Sequence, residues 1–364
     1  MTTTTTTGTL APEGRGADKG RQPARTSLPE PMLDLVRIRK DFVLGGGLVG
    51  RITGTRRVFQ ALRDVSLSVR KGEIVSLVGE SGSGKSTLAQ VAVRLLDVDG
   101  GDVAYRGEGV THRKGKALKP FREKVQMVFQ DTGSSFNPRK TIGRALDETL
   151  RLRGVPRDRR QPLSVALLER VGLGDFVRKR YPHQLSGGQR QRAAIARSLA
   201  MNPEFLVADE PVASLDVSLQ AQIVNLLIRL RDELGLTLLF ISHDLALVSQ
   251  ISNRVAVMYA GRIVEEGPPD TVLKHPAHPY TRALIDAIPK GLDGRRRGLA
   301  RRDGVKPDRS LPSAGCRFAP RCPLAMAICR DVEPASVTIT QGHRTECHLV
   351  DEAKGYPPQQ RPTR

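Results

Sequence analysis

A glycine-rich segment that follows a short apolar run constrains this chain more than any other feature. The run Ile74–Val78 has the length and composition of a buried strand, and it leads directly into Gly79-Glu80-Ser81-Gly82-Ser83-Gly84-Lys85-Ser86-Thr87. Glycines let the backbone curl so that successive N–H groups, and those of the helix that follows, point at phosphate oxygens. The alternative is a purely structural turn. The strand and helix context favours a phosphate-binding loop, with Lys85 on the β and γ phosphates and the Ser86 hydroxyl on Mg²⁺.

Two adjacent carboxylates end a second apolar run. Residues 205–208 are apolar, and Asp209 and Glu210 follow them directly. A charge at the end of a buried strand is costly unless it has a partner, although a solvated acidic turn would give the same pattern. Beside a phosphate loop, Asp209 can hold Mg²⁺ through water and Glu210 can polarise a water for attack on the γ phosphate. The two motifs together predict a site that hydrolyses a nucleotide.

Apolar runs alternate with stretches of helical composition through the middle of the chain. A third run at 236–241 joins the two above, and the stretches 86–96, 189–200 and 219–234 are predicted helices. Continuous apolar strands separated by helices predict a parallel sheet covered on both faces, which binds ligands at the carboxyl ends of its strands. The alternating runs 33–38 and 65–69 predict half-buried strands nearer the amino terminus.

Charge and hydropathy narrow the class of protein. The 364 residues include 58 Lys and Arg against 38 Asp and Glu, which gives a net charge of +20, but only 4% are aromatic. Because no aromatic residues interleave with the basic ones to stack on bases, we expect no nucleic acid partner and assign the charge to solvated faces, tails and contacts with anionic lipid headgroups. No run approaches 18 apolar residues and no signal-peptide pattern begins the chain, so we expect a cytosolic protein without a membrane span.

Further polar motifs lie between and after the phosphate loop and the carboxylate pair. Leu185-Ser186-Gly187-Gly188-Gln189 resembles the signature motif of ABC-type ATPases. Gln130 resembles that family's glutamine loop, Ser214-Leu215-Asp216 its D-loop and His243 its switch histidine. The resemblance covers roughly residues 33–267. It implies an α/β fold, namely a P-loop nucleotide-binding domain with a RecA-like core, an antiparallel β subdomain and a helical signature subdomain at about 131–190.

The resemblance also implies a site shared by two cassettes that dimerise head to tail. Ser186 and the amides that follow it begin a helix and so form a second anion site, which would cover ATP held by the partner's phosphate loop. Gln130 would sense Mg²⁺ and the attacking water, His243 would contact the γ phosphate and orient that water with Glu210, and Asp216 would cross the interface. The implied catalytic residues are Glu210, His243, Gln130 and Lys85, and the implied Mg²⁺ ligands are Ser86, Gln130 and Asp209. The implied nucleotide contacts are Phe42, Gly79, Ser81, Gly82, Ser83, Gly84, Lys85, Ser86, Thr87, Gln130, Asp209, Ser186, Gly187, Gly188, Gln189, Asp216 and His243.

An aromatic residue near the first two strands would, by the same resemblance, stack on the adenine base. Phe42 ends the first alternating segment and Phe59 precedes the second. Either side chain could instead belong to the core. We predict Phe42, with Phe59 as the alternative.

A closer resemblance is to the ATPase subunits of oligopeptide and dipeptide importers. It depends on Ser135-Phe136-Asn137-Pro138-Arg139, Val217-Ser218-Leu219-Gln220-Ala221-Gln222 and His278-Pro279-Tyr280-Thr281. The long loop between the first two strands suggests the second of the two ATPase types of these importers. This branch implies two permease subunits, a homologous ATPase subunit in a heterodimer, an extracytoplasmic substrate-binding protein, and a peripheral position on the cytoplasmic face of the membrane. The alternatives are an importer of another solute, such as nickel or a glycoside, and a nucleotide-gated regulatory module.

Four cysteines lie near the carboxyl end, at Cys316, Cys322, Cys329 and Cys347. In a reducing compartment such a group indicates metal ligation before disulfides, and four thiolates suit zinc or an iron-sulfur cluster, while free structural thiols are the alternative. Similar cysteines hold a [4Fe-4S] cluster in some members of the importer branch, so we predict that cluster, with zinc second.

The chain divides on composition into four parts. We predict a disordered tail at 1–31, where apolar residues are few, and the ATPase domain at 32–267. A C-terminal extension with the four-cysteine site follows at 268–350, and a flexible tail at 351–364.

Overall fold

The computed structural model describes residues 1–4, 31–44, 57–131, 133, 135–213, 215–287 and 314–350. The two predicted tails lie outside these residues, apart from residues 1–4 and Pro31, and so does the arginine-rich stretch at 291–312. The disorder predicted for the tails therefore stays a prediction.

Two sheets and a set of helices make up the described chain. The strands are β1 (Pro31–Leu44), β2 (Arg57–Arg70), β3 (Ile74–Val78), β4 (Gly100–Tyr105), β5 (Glu108–Gly109), β6 (Val125–Val128), β7 (Phe205–Asp209), β8 (Thr237–Ile241), β9 (Arg254–Tyr259), β10 (Arg262–Gly267), β11 (Ser336–Thr340) and β12 (His343–Glu346). The α-helices are α1 (Lys85–Ala92), α2 (Lys119–Lys124), α3 (Ile142–Leu152), α4 (Arg157–Arg170), α5 (Gly187–Leu199), α6 (Val217–Leu234), α7 (Leu245–Ile251), α8 (Pro269–Lys274), α9 (Pro279–Asp286) and α10 (Ile328–Asp331). Short 3₁₀ turns occupy Gly115–Leu118, Asp175–Lys179, Pro182–Gln184, Ala319–Arg321 and His348–Val350.

The larger sheet has eight strands in the order β11-β12-β10-β9-β3-β8-β7-β6. Five of these strands, β9, β3, β8, β7 and β6, are parallel to one another. The remaining strands β10, β12 and β11 continue from β9 with antiparallel pairing. The sequence predicted the parallel part because its strands are continuous apolar runs. It did not predict the antiparallel edge. The smaller sheet, β2-β1-β4-β5, is antiparallel, as the family resemblance implied.

Side chains of the central strands alternate between two hydrophobic cores. On β3, Ile74 and Val78 belong to the core that contains α3 to α6, while Val75 and Leu77 belong to the core shared with the smaller sheet. Because both faces of the strand are covered, every residue of β3 is buried. This explains why the run in the sequence is continuous and not alternating.

The C-terminal extension joins the central sheet directly. Strand β12 pairs with β10, which aligns Glu265 with Thr345. The side chain of Glu265 is buried, and it lies 2.8 Å from His343 Nε2 and accepts hydrogen bonds from the backbone N–H groups of Ala277 and His278. A carboxylate with this many donors is stably buried, so this contact fastens the extension to the core.

Candidate nucleotide-binding site

The glycine-rich loop takes a backbone shape that two of its glycines make possible. Gly79 has a φ of +151°, and a Cβ there would lie 2.1 Å from the Met258 carbonyl oxygen. Gly84 has a φ of +107°, and a Cβ there would lie 2.7 Å from the Ala61 carbonyl oxygen. No other residue fits either position without moving the backbone. Helix α1 begins at Lys85, so the free N–H groups of its first turn lie at the end of this loop.

A cavity of about 720 Å³ lies over this loop, beside the carboxyl ends of β3, β7 and β8. This is the edge of the sheet where the sequence predicted a ligand. The residues that line it are Phe59, Gln60, Ala61, Glu80, Ser81, Gly82, Ser83, Gly84, Lys85, Ser86, Thr87, Gln130, Glu210, His243, Tyr259, Ala260, Gly261 and Arg317. Ten of these were predicted site residues, and they come from four separate stretches of the sequence.

Lys85 is a buried cation on the floor of the cavity. Its Nζ donates hydrogen bonds to the carbonyl oxygens of Gly79 at 2.9 Å and Glu80 at 3.0 Å, and the residue is only 5% exposed. Burial lowers the pKa of Lys85, and the charges of Glu210, Asp209 and Glu80 oppose that shift. A desolvated ammonium group whose hydrogen bonds go to neutral carbonyl oxygens gains from an added anion, so this position suits a phosphate.

Ser86 and Asp209 form a pair of oxygen ligands next to Lys85. Ser86 Oγ donates to Asp209 Oδ1 at 3.2 Å. Asp209 is buried, and this burial raises its pKa, while the Ser86 hydrogen bond opposes the shift. Hydroxyl and carboxylate oxygens suit Mg²⁺, which needs few protein ligands when phosphate oxygens and water supply the others. These two residues therefore fit the predicted Mg²⁺ site.

Glu210 is the centre of a polar group at the mouth of the cavity. Gln130 Nε2 donates to Glu210 Oε2 at 3.0 Å, and His243 Nδ1 lies 3.5 Å from the same oxygen. The backbone of Glu210 has a φ of +44°, which is uncommon for a residue with a side chain, and its N–H donates to Ile241 at 3.0 Å. Strained backbone of this kind concentrates at functional sites. The structure thus brings together three of the four predicted catalytic residues, Gln130, Glu210 and His243.

The signature residues lie apart from this cavity. Ser186 caps α5: its Oγ accepts from the Gln189 N–H at 3.2 Å, and the Gln189 Oε1 accepts from the Ser186 N–H at 3.1 Å. Ser186 is exposed, and none of Ser186, Gly187, Gly188, Gln189 and Asp216 is among the residues that line the cavity. Asp216 instead caps α6 through the Leu219 N–H at 2.9 Å. That these residues contact nucleotide stays a prediction that requires a second cassette.

The cavity favours Phe59, the alternative adenine contact, while the prediction of Phe42 stays untested. Phe59 lines the cavity and Phe42 does not. The two residues pair across β1 and β2, and β2 is the strand that contacts α1 and the central sheet, so only Phe59 reaches the cavity wall. Both phenylalanines are flanked by similar residues, so the sequence had no signal to separate them.

Part of the cavity wall was not predicted from the sequence. Tyr259, Ala260 and Gly261 come from the turn between β9 and β10, and Arg317 comes from the C-terminal extension. Arg317 donates from Nη2 to Gln60 Oε1 at 2.9 Å, although the two residues are 257 positions apart in the chain. No local pattern marks such a contact.

The four cysteines surround one small cavity together with His278 and His348. Burial raises the pKa of Cys316 and of Cys322, and it raises that of Cys347 to about 12, which favours neutral thiols. Across the described ranges, no three Cys, His, Asp or Glu side chains stand in an arrangement that could hold a metal ion. The predicted [4Fe-4S] cluster, and zinc as its alternative, at Cys316, Cys322, Cys329 and Cys347 are therefore not supported. The described thiols are free.

A strand, a glycine-rich loop and a helix, with a carboxylate pair at the end of a parallel strand two positions along the same sheet, define a P-loop nucleotide-hydrolysing protein. The sequence matches the ABC transporter family over residues 62–213 and the oligopeptide/dipeptide transporter C-terminal region over residues 264–329. The chain belongs to the ABC transporter family, as an ABC-type ATPase with this C-terminal region. Within the part of the chain that the structure describes, no helix has the length and apolar character to cross a bilayer.

Relatives and solved structures agree with this assignment. A peptide import ATP-binding protein of Brucella abortus is 49% identical over 87% of this chain and 92% of its own length. The dipeptide transport ATP-binding protein DppF of Escherichia coli is 38% identical over 90% of this chain and 96% of its own. A dimeric structure of the ATP-binding cassette MJ0796, in a post-hydrolysis state with ADP and Pi, has a TM-score of 0.58 and 27% identity, and covers 65% of this chain and 99% of that one.

Proposed function

We propose that this chain hydrolyses ATP to energise a membrane importer of oligopeptides or dipeptides. The observation that supports this most directly is the cavity that joins the phosphate loop to Gln130, Glu210 and His243. The oligopeptide/dipeptide transporter C-terminal region supports the solute class. Similar proteins from three bacterial genera are named for peptide, oligopeptide or dipeptide transport.

The residues of the cavity suit an in-line attack of water on the γ phosphorus. Lys85 and the N–H groups of the loop bind the β and γ phosphates. When Mg²⁺ is bound at Ser86 and Asp209, it neutralises charge on the phosphate oxygens. Glu210 accepts the proton of the attacking water as the bond from the γ phosphorus to the bridging oxygen breaks, which releases ADP and phosphate. Gln130 and His243 hold the Glu210 carboxylate in place.

The transporter would contain further subunits, because the described part of this chain has no helix able to cross a membrane. We propose two permeases, a homologous ATPase that forms a heterodimer with this chain, and an extracytoplasmic substrate-binding protein, with the chain on the cytoplasmic face of the membrane. The signature residues Ser186 to Gln189 would close the ATP site of the second ATPase. We also propose the division of the chain into an ATPase domain at 32–267 and a C-terminal extension at 268–350.

Peptide uptake by the whole transporter tests this proposal. The complex is produced from its neighbouring genes and placed in vesicles with ATP, and the entry of labelled di- and tetrapeptides is compared with that of nickel and a glycoside. We expect ATP-dependent entry of peptides and none in the Lys85→Ala variant. Entry of nickel or a glycoside in place of peptides would reassign the solute, and a complex that binds ATP without turnover would favour the regulatory module.

A further inference from the structure

Glu80, the second residue of the phosphate loop, is bound by two residues of the C-terminal extension, Tyr280 and Arg321. Its carboxylate forms a two-point ion pair with Arg321, whose Nη1 lies 2.8 Å from Oε2 and whose Nη2 lies 2.9 Å from Oε1. Its backbone N–H donates to the Tyr280 hydroxyl at 2.8 Å. The C-terminal extension therefore contacts both the backbone and the side chain of the loop.

The contacts that Glu80 makes on its other side lead directly to the phosphate-binding groups. Its carbonyl oxygen accepts from Lys85 Nζ at 3.0 Å and from the Ser83 N–H at 3.2 Å. The position of the Glu80 backbone thus fixes the position of the Lys85 ammonium group. Arg321 and Tyr280 are therefore linked to Lys85 by a continuous chain of hydrogen bonds through Glu80.

Arg321 and Tyr280 are themselves held by an aromatic group. Tyr280 is fully buried, and its ring centroid lies 4.5 Å from that of Tyr259 and 5.5 Å from that of Phe318. The Arg321 guanidinium lies 5.7 Å from the Tyr259 ring and 5.9 Å from the Phe318 ring. Hydrogen bonding to Glu80 raises the pKa of Arg321, so this side chain stays cationic. A planar, fork-shaped cation on aromatic faces is a rigid support.

Charge gives the ion pair a second effect. Glu80 lines the cavity, and a triphosphate would bring several negative charges close to its carboxylate. An unpaired carboxylate there would repel the nucleotide, and Arg321 neutralises it. Both partners are more than a third exposed, so solvent screens part of this effect.

We propose that Arg321 is a positioning residue for ATP binding: it neutralises Glu80 and, with Tyr280, holds the phosphate loop in the shape that receives a triphosphate. The C-terminal extension is then part of the nucleotide site and not only an appended unit. This inference rests on the assignment of the cavity as the ATP site, so the test measures that assignment separately.

The test measures binding of a fluorescent ribose-labelled ATP, with Mg²⁺, to the full-length chain. Arg321→Ala raises the dissociation constant about three- to tenfold, as expected for a partly exposed two-point ion pair. Arg321→Lys, which keeps the charge, recovers part of the lost affinity for ATP, and the neutral Arg321→Gln does not. The control Arg330→Ala, at an exposed arginine of the same extension, changes the constant by less than about twofold. In steady-state assays Arg321→Ala raises KM for ATP and leaves kcat at saturation within about twofold.

The double variant separates positioning from general stability. In a Glu80→Gln background, which has no charge to neutralise, Arg321→Ala changes the dissociation constant by less than about twofold. If Arg321→Ala loses as much affinity for ATP in the Glu80→Gln background as in the wild type, Arg321 has a merely structural role and the proposal is overturned. Wild-type affinity in the Arg321→Ala variant would overturn it as well. If circular dichroism shows that Arg321→Ala does not fold, equal affinities of Arg321→Lys and Arg321→Gln overturn it instead. A wild-type chain that binds no nucleotide would refute the site itself.

Discussion

The phosphate loop and the signature segment are both glycine-containing turns that begin a helix, yet they have opposite surroundings. The phosphate loop is enclosed: Gly79 and Gly84 pack against backbone carbonyl oxygens, and Lys85 is 5% exposed. The signature segment is open, and its cap is satisfied internally by Ser186 and Gln189. The phosphate loop has a cation, a cavity and carboxylates, whereas the signature segment has the Ser186 hydroxyl and N–H groups at a helix start. We call the phosphate loop the enclosed half and the signature segment the open half, after the shared phosphate site that the family resemblance implies; that the open half contacts nucleotide stays a prediction.

The largest effect is expected from Glu210→Gln, which changes the enclosed half without changing its shape. Turnover of ATP falls about a thousandfold, because an amide does not accept the water proton, while nucleotide affinity stays within about twofold. Steady-state phosphate release and binding of labelled ATP measure the two quantities. Asp270→Asn, an exposed carboxylate on α8, is the matched control. Unchanged turnover in Glu210→Gln would exclude this residue as the general base.

Ser186→Ala tests the open half. In the assembled transporter we expect turnover to fall about a hundredfold, as for the loss of one donor to a transferring phosphate. In the isolated chain, affinity for labelled ATP stays within about twofold, because Ser186 does not line the chain's own cavity. Ser249→Ala, an exposed serine on α7, is the control. A loss of affinity in the isolated chain would show that both halves act within one chain, which would remove the contrast.

Lys85→Ala tests how much the enclosed half depends on its cation. The dissociation constant for ATP rises about 30- to 100-fold, since the variant loses charge-assisted hydrogen bonds to phosphate. Lys274→Ala, an exposed lysine on α8, is the control. Equal affinities in the two variants would refute the assignment of the phosphate loop.

The smallest effect separates two phenylalanines in the smaller sheet. Phe59→Ala raises the dissociation constant about fivefold, which corresponds to about 1 kcal/mol of stacking on adenine, and Phe42→Ala changes it by less than about twofold. Labelled ATP binding to the two purified variants measures this. The reverse order would support the prediction of Phe42 as the base contact.

The sequence by itself determined the central strands, three of the helices beside them (α1, α5 and α6) and the phosphate loop. Strand β3 has the predicted bounds, and α5 and α6 begin only two residues before the predicted helices, because apolar runs and turn residues are local signals. Among the site residues, Lys85, Ser86, Gln130, Glu210 and His243 were all recognised from motifs of a few residues. Their roles in catalysis stay predictions.

Only the tertiary structure decided which residues complete the cavity. That Phe59 and not Phe42 lines the cavity depends on which strand packs beside α1. The contacts of Arg317 with Gln60 and of Arg321 with Glu80 join positions 257 and 241 apart in the chain. The pairing of β12 with β10 brings the C-terminal extension to the nucleotide site in the same way. A sequence pattern predicts local structure, because it depends on residues that are close together in the chain. Which distant side chains meet is decided by the packing of the sheets, which depends on all the buried surfaces at once.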